Sequence, residues 1–94
     1  MRSGRLEKRV RLAVPVEISS LQDPKATELA STEDVCTIGA RVLTQQPKGR
    51  DERLFLRSLN GDLRAQARVV YCQKLSNGSF AVGLHFVGVR VREW

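Results

Sequence analysis

Ninety-four residues suffice for one domain with a single modest core and are too few for two. An apolar share of 41% excludes a disordered chain, and sixteen basic against ten acidic residues leave a net charge of +6, which favours an anionic partner. No apolar stretch approaches the roughly 18 residues of a membrane-spanning helix, and no apolar run of a secretory signal follows the basic N-terminus, so a cytoplasmic location without membrane insertion is expected.

Residues 1–9 read as a flexible basic arm. From Val10 the pattern alternates, with Val10, Leu12, Val14, Val16 and Ile18 on one face, which predicts a half-buried strand. Pro15 has no backbone donor, so this strand is expected at an edge or a bulge. Asp23-Pro24 marks a turn, and Thr27–Glu33 is a weaker strand candidate leading to Asp34. Ala40–Gln45 and Arg53–Leu59 are predicted strands separated by Pro47-Lys-Gly-Arg50, and Asn60-Gly61 is a strong hairpin signal. The returning strand, Leu63–Lys74, places Leu63, Ala65, Ala67, Val69 and Tyr71 on one face. Ser76–Ser79 then turns the chain into Phe80–Val87, with Phe80, Val82, Leu84 and Phe86 aligned. Six short strands without a convincing amphipathic helix predict an all-β antiparallel barrel or sandwich. The barrel is expected over 10–88 and a short tail over 89–94.

Two clusters suggest a function. Arg5 and Arg9 lie four apart in the arm, and arginine's planar fork suits phosphate oxygens and the O6/N7 edge of guanine. Asp34-Val-Cys-Thr-Ile-Gly39 is an acidic turn ending in glycine. Its carboxylate can accept from a guanine's ring N–H and amino group, and its glycine permits a positive φ or a close backbone approach. Together they describe a pocket for an anionic guanine nucleotide. Each has a plainer reading: a solvated arm, an aspartate bonding its own turn, and a glycine required by the turn alone.

The RxxxR spacing ahead of a first strand, followed by this turn, resembles the PilZ domain, a bacterial receptor module for cyclic di-GMP. Arg9–Ile18 is similar to the family's first strand, Gly39-Ala-Arg-Val42 to its third and Val82-Gly-Leu-His-Phe86 to its closing strand, so the likeness spans roughly residues 5–88. The resemblance implies a six-stranded antiparallel β-barrel, cyclic di-GMP as ligand rather than a resident cofactor, and a protein effector as partner. It assigns ligand binding to Arg5, Arg9, Asp34, Cys36 and Gly39. Cys36 stands where the family usually has serine. The chain stops at Trp94, so the helix that often follows the barrel is expected to be absent or truncated.

Catalysis and metal binding find little support. One histidine, His85, has no orienting partner for a nucleophilic Cys36, and the spacings of Cys36, Cys72 and His85 match no recognised zinc pattern. The rival functions are a PilZ-like protein adaptor without ligand binding and a small basic barrel that binds single-stranded nucleic acid. Nucleic acid is disfavoured because only five aromatics exist and Phe80 and Phe86 are committed to one face.

Overall fold

The computed structural model describes residues 13–23, 25–61 and 63–91. Six strands follow in order: β1 (Pro15–Ser20), β2 (Thr27–Val35), β3 (Gly39–Thr44), β4 (Arg53–Ser58), β5 (Leu63–Lys74) and β6 (Phe80–Val91). They close into an antiparallel barrel in the spatial order β1-β2-β3-β6-β5-β4, with β4 returning to pair with β1. No helix occurs among the described residues, and none is therefore long or apolar enough to cross a membrane.

Strict alternation builds the core. Five strands each give two apolar side chains to one buried cluster: Val16 and Ile18, Ala40 and Val42, Leu54 and Leu56, Ala67 and Val69, Val82 and Leu84. Phe80 and Phe86 pack against this cluster, as their phase requires. Strand β2 contributes only Ala30, Thr32 and Val35, which explains its faint signal in the sequence. Near its start, the Glu28 carboxylate faces Lys48 at 3.0 Å and accepts from the Gln45 amide at 2.6 Å, so a charged pair fills this position. The lysine supplies the counter-charge for Glu28 Oε1, which receives no well-aligned hydrogen bond.

Three expectations need correction. Pro15 lies neither at an edge nor at a bulge, because the closed barrel has no edge. It is the first residue of β1, where a strand tolerates a missing donor, and the β1–β4 pairing begins one residue later at Val16↔Ser58. Of the alternating run expected from Val10, the described residues Ala13 and Val14 precede the strand, which begins at Pro15. Val14 keeps the phase by packing on the core and exchanging bonds with Thr32, donating to its Oγ1 at 2.9 Å, while Val10 and Leu12 lie outside the described residues. The closing strand, expected to end at Val87, runs on to Val91, since β5 begins at Leu63 and needs a partner there. Residues 89–91, expected in a tail, are therefore strand.

The Asn60-Gly61 signal holds: Gly61 adopts a φ of 81° that the tight turn requires. Ser58 Oγ donates to Asn60 Oδ1 at 2.6 Å and accepts from the Leu63 amide at 3.0 Å, joining both strand ends.

Candidate functional site

The site is set by β-bulges, which alternation alone does not reveal. In β2 the register steps from Thr32↔Val42 to Asp34↔Arg41, leaving Glu33 as an extra residue. Unbroken alternation would point Asp34 inward with Thr32. The bulge instead puts Asp34 opposite the outward Arg41 and turns Val35 onto the core. Glu33 accepts from Arg41 Nε at 2.5 Å.

A second bulge corrects the expected row on β5. The register steps from Val69↔Leu84 to Tyr71↔Gly83, so Val70 is extra and the phase inverts beyond it. Tyr71, expected to face inward, is exposed, and Cys72 packs against the core instead. A Cβ on Gly83 would lie 2.1 Å from Tyr71 Cε2, so the ring occupies the space that a side chain at position 83 would need. The Tyr71 hydroxyl accepts from Arg41 Nη1 at 2.9 Å, and the guanidinium carbon lies 5.9 Å from the ring centroid. First Glu33 and then Tyr71 hold the Arg41 pKa above its already high ordinary value, so this cation stays charged.

The β2–β3 turn closes with Cys36 N donating to Gly39 O at 2.9 Å, and Phe86 N donates to Ile38 O at 2.8 Å. Gly39 does not have a positive φ. Glycine is required there because a Cβ would lie 2.1 Å from the Leu84 carbonyl oxygen, a backbone atom of the neighbouring strand. Of the two properties expected of this glycine, close approach is the one in use.

These elements enclose an open hollow of about 190 Å³ on the outside of the barrel, walled by Cys36, Ile38, Gly39, Arg41, Tyr71 and His85, among others. Cys36 is half-buried and belongs to this wall, whereas Cys72 packs on the core. Ile38 is half-exposed and lines the same hollow. His85 is exposed, as its phase implied. Asp34 stands next to this wall through its pairing with Arg41. Arg5 and Arg9 lie outside the described residues. The chain that follows them reaches the barrel at Val14, hydrogen-bonded to Thr32, two positions before Asp34.

Arg41 and Tyr71 are the site residues that sequence reasoning missed. One signal pointed to them: Gly83 within an otherwise apolar strand marks a place where something approaches the backbone closely. Among the described residues no cluster of histidine, cysteine and carboxylate side chains could hold a metal ion.

The family model for the PilZ domain matches residues 3–93. Among solved structures, the chain is similar to one titled "Structure of Bacillus subtilis Inhibitor of motility (MotI/DgrA)", with a TM-score of 0.68 and 14% identity. That likeness covers 94% of this chain and 44% of the other, so the chain spans less than half of that protein's length, and at such identity it shows the fold alone. A comparison with curated proteins finds no match.

Proposed function

The chain belongs to the PilZ domain family, and on that premise we propose that it is a non-catalytic receptor for cyclic di-GMP in the bacterial cytoplasm, relaying the bound state to a protein partner. One observation carries the reading: the turn from Asp34 to Gly39 and the fixed cation Arg41 meet around a single open hollow. At about 190 Å³ the hollow is smaller than the roughly 300–1,000 Å³ usual for a small-molecule site, so this reading requires the arm to close over the ligand on binding.

Each residue then has a role. Arg5 and Arg9 clamp phosphates and guanine edges, Asp34 reads the guanine's donor edge, and Cys36 and Gly39 shape the turn against the ligand. Arg41 adds a positive charge fixed in place by Glu33 and Tyr71. Ordering the arm opposes binding, so affinity rests on charge-assisted bonds exceeding that entropy cost. A partner then reads the ordered arm as a new surface.

Calorimetric titration with cyclic di-GMP, and separately with single-stranded DNA, tests the reading. Heat with the dinucleotide and none with DNA is expected; the reverse overturns it. Cys36 in place of serine favours a second reading, a protein adaptor that no longer binds the dinucleotide, and absence of heat with both ligands would select it.

A further inference from the structure

On the outer faces of β4 and β5, adjoining the hollow where Arg68 is in register with His85, arginines oppose one another across the strands. The register pairs Arg53 with Arg68 and Arg57 with Arg64, with Phe55 opposite Gln66 between them. Like charges directly opposite one another in an antiparallel sheet are destabilising. A fold under selection for stability alone has no use for two such pairs side by side.

The face is also shaped. Phe55 is 49% exposed. With Arg57, Arg64 and Glu17 it lines a hollow of about 410 Å³. The arginines on either side of Phe55 along β4 stand roughly 14 Å apart at the strand's rise per residue. Arginine surrounding an exposed aromatic ring is the composition that concentrates binding energy at protein interfaces.

Two of the arginines show what they bind. Arg57 holds the Glu17 carboxylate, and Arg68 donates to Asp51 Oδ1 at 2.9 Å. Among the described residues no ion pair engages Arg53 or Arg64. Four guanidinium groups against two carboxylates leave the face basic, with the two resident carboxylates set among the cations. Arg53 and Arg64, which no ion pair among the described residues engages, are the cations left for the carboxylates of a docking segment. A lone aromatic also falls short of a platform for stacking successive bases.

We propose that the β4–β5 face of this barrel is a docking surface for an acidic protein segment, whose carboxylates pair with Arg53 and Arg64 and whose apolar side chain covers Phe55. Its centre at Phe55, Arg57 and Arg64 shares no residue with the ligand hollow, and docking there does not depend on cyclic di-GMP binding.

The test uses the whole chain and a capped peptide, Glu-Glu-Leu-Glu-Glu, followed by two-dimensional amide NMR. Shifts concentrated at Phe55, Arg57, Arg64 and Gln66 are expected, weakening as salt is raised. Arg53→Glu combined with Arg64→Glu should abolish these shifts while leaving thermal stability equal or higher, because it converts both like-charge pairs into opposite ones. Phe55→Ala should reduce binding severalfold with the arginines intact. Unchanged binding by the double variant, shifts centred elsewhere, or an oligothymidylate that perturbs the same amides at lower concentration than the peptide would each overturn the proposal.

Discussion

Tyr71 occupies the volume that a side chain at position 83 would need: a Cβ on Gly83 would lie 2.1 Å from Cε2 and 2.6 Å from Cδ2 of the ring. The two residues are register partners on β5 and β6, brought face to face by the bulge at Val70. The glycine gives the ring a seat on the sheet, and the seated ring presents its hydroxyl to Arg41.

Gly83→Ala is therefore expected to unseat Tyr71 and destabilise the barrel by about 1–3 kcal/mol, the usual cost of overpacking. Adding Tyr71→Ala should recover part of the loss, because the clash then has no second partner. Urea unfolding of the two single variants and the double variant measures this coupling. Simple additivity would show that the ring moves aside freely.

Gly39→Ala meets a harder obstacle, since the opposing atom is the Leu84 backbone oxygen rather than a movable ring. A loss at or above the upper end of about 1–3 kcal/mol is expected, with faster amide exchange at Phe86, whose N–H bonds Ile38. Lost ligand affinity with unchanged stability would instead assign Gly39 to ligand contact alone.

The parts of the fold legible in the sequence were those that alternation controls. On β4 exposed and buried residues alternate as the pattern puts them, and on β6 Val82 and Leu84 are buried as expected, although Ala81 of the opposite phase is buried as well and the register shifts at Val87. The bulges at Glu33 and Val70 were not legible, because an extra residue inverts the phase without changing residue types. Asp34 was identified by its chemistry, yet its outward placement depends on the first bulge, and Tyr71 was assigned inward because the second was unforeseen. Strand β2 was faint because its inward positions carry Glu28, Ala30 and Thr32, the glutamate held by the Lys48 charge and the Gln45 amide and the threonine by Val14.

Arg5→Ala or Arg9→Ala should each weaken cyclic di-GMP binding by about 1.5–3 kcal/mol, the value of a hydrogen bond to a charged group, or roughly tenfold to more than a hundredfold. The melting temperature should hardly move, since both residues precede the alternating core pattern. Calorimetry and thermal melts on the same samples check both halves. Parental affinity in both variants would reduce the arm to a solvated tail.

Asp34→Ala should lower affinity for cyclic di-GMP and narrow the preference over cyclic di-AMP. Adenine lacks the ring N–H and N2 donors that a carboxylate accepts from. Equal losses for the two dinucleotides would show that Asp34 shapes the turn without reading the base.

Cys36 is where the chain departs from its family, and its half-buried place in the wall of the hollow makes the consequence measurable. A thiol donates weakly, whereas a hydroxyl both donates and accepts in nearly the same volume. Cys36→Ser should therefore tighten cyclic di-GMP binding by a factor of a few, up to roughly tenfold, given about 0.5–1.5 kcal/mol for a neutral hydrogen bond. Alkylating the thiol should do the opposite by filling the hollow. Cys72, packed on the core, should react more slowly and serves as the internal control in a mass-spectrometric count of modified sites. If Cys36 acts only as a small apolar plug, serine leaves a poorly paired hydroxyl: the melting temperature falls and affinity does not rise. Measuring affinity and melting temperature on the one variant separates the two cases, because only a ligand-facing side chain gains binding without losing stability.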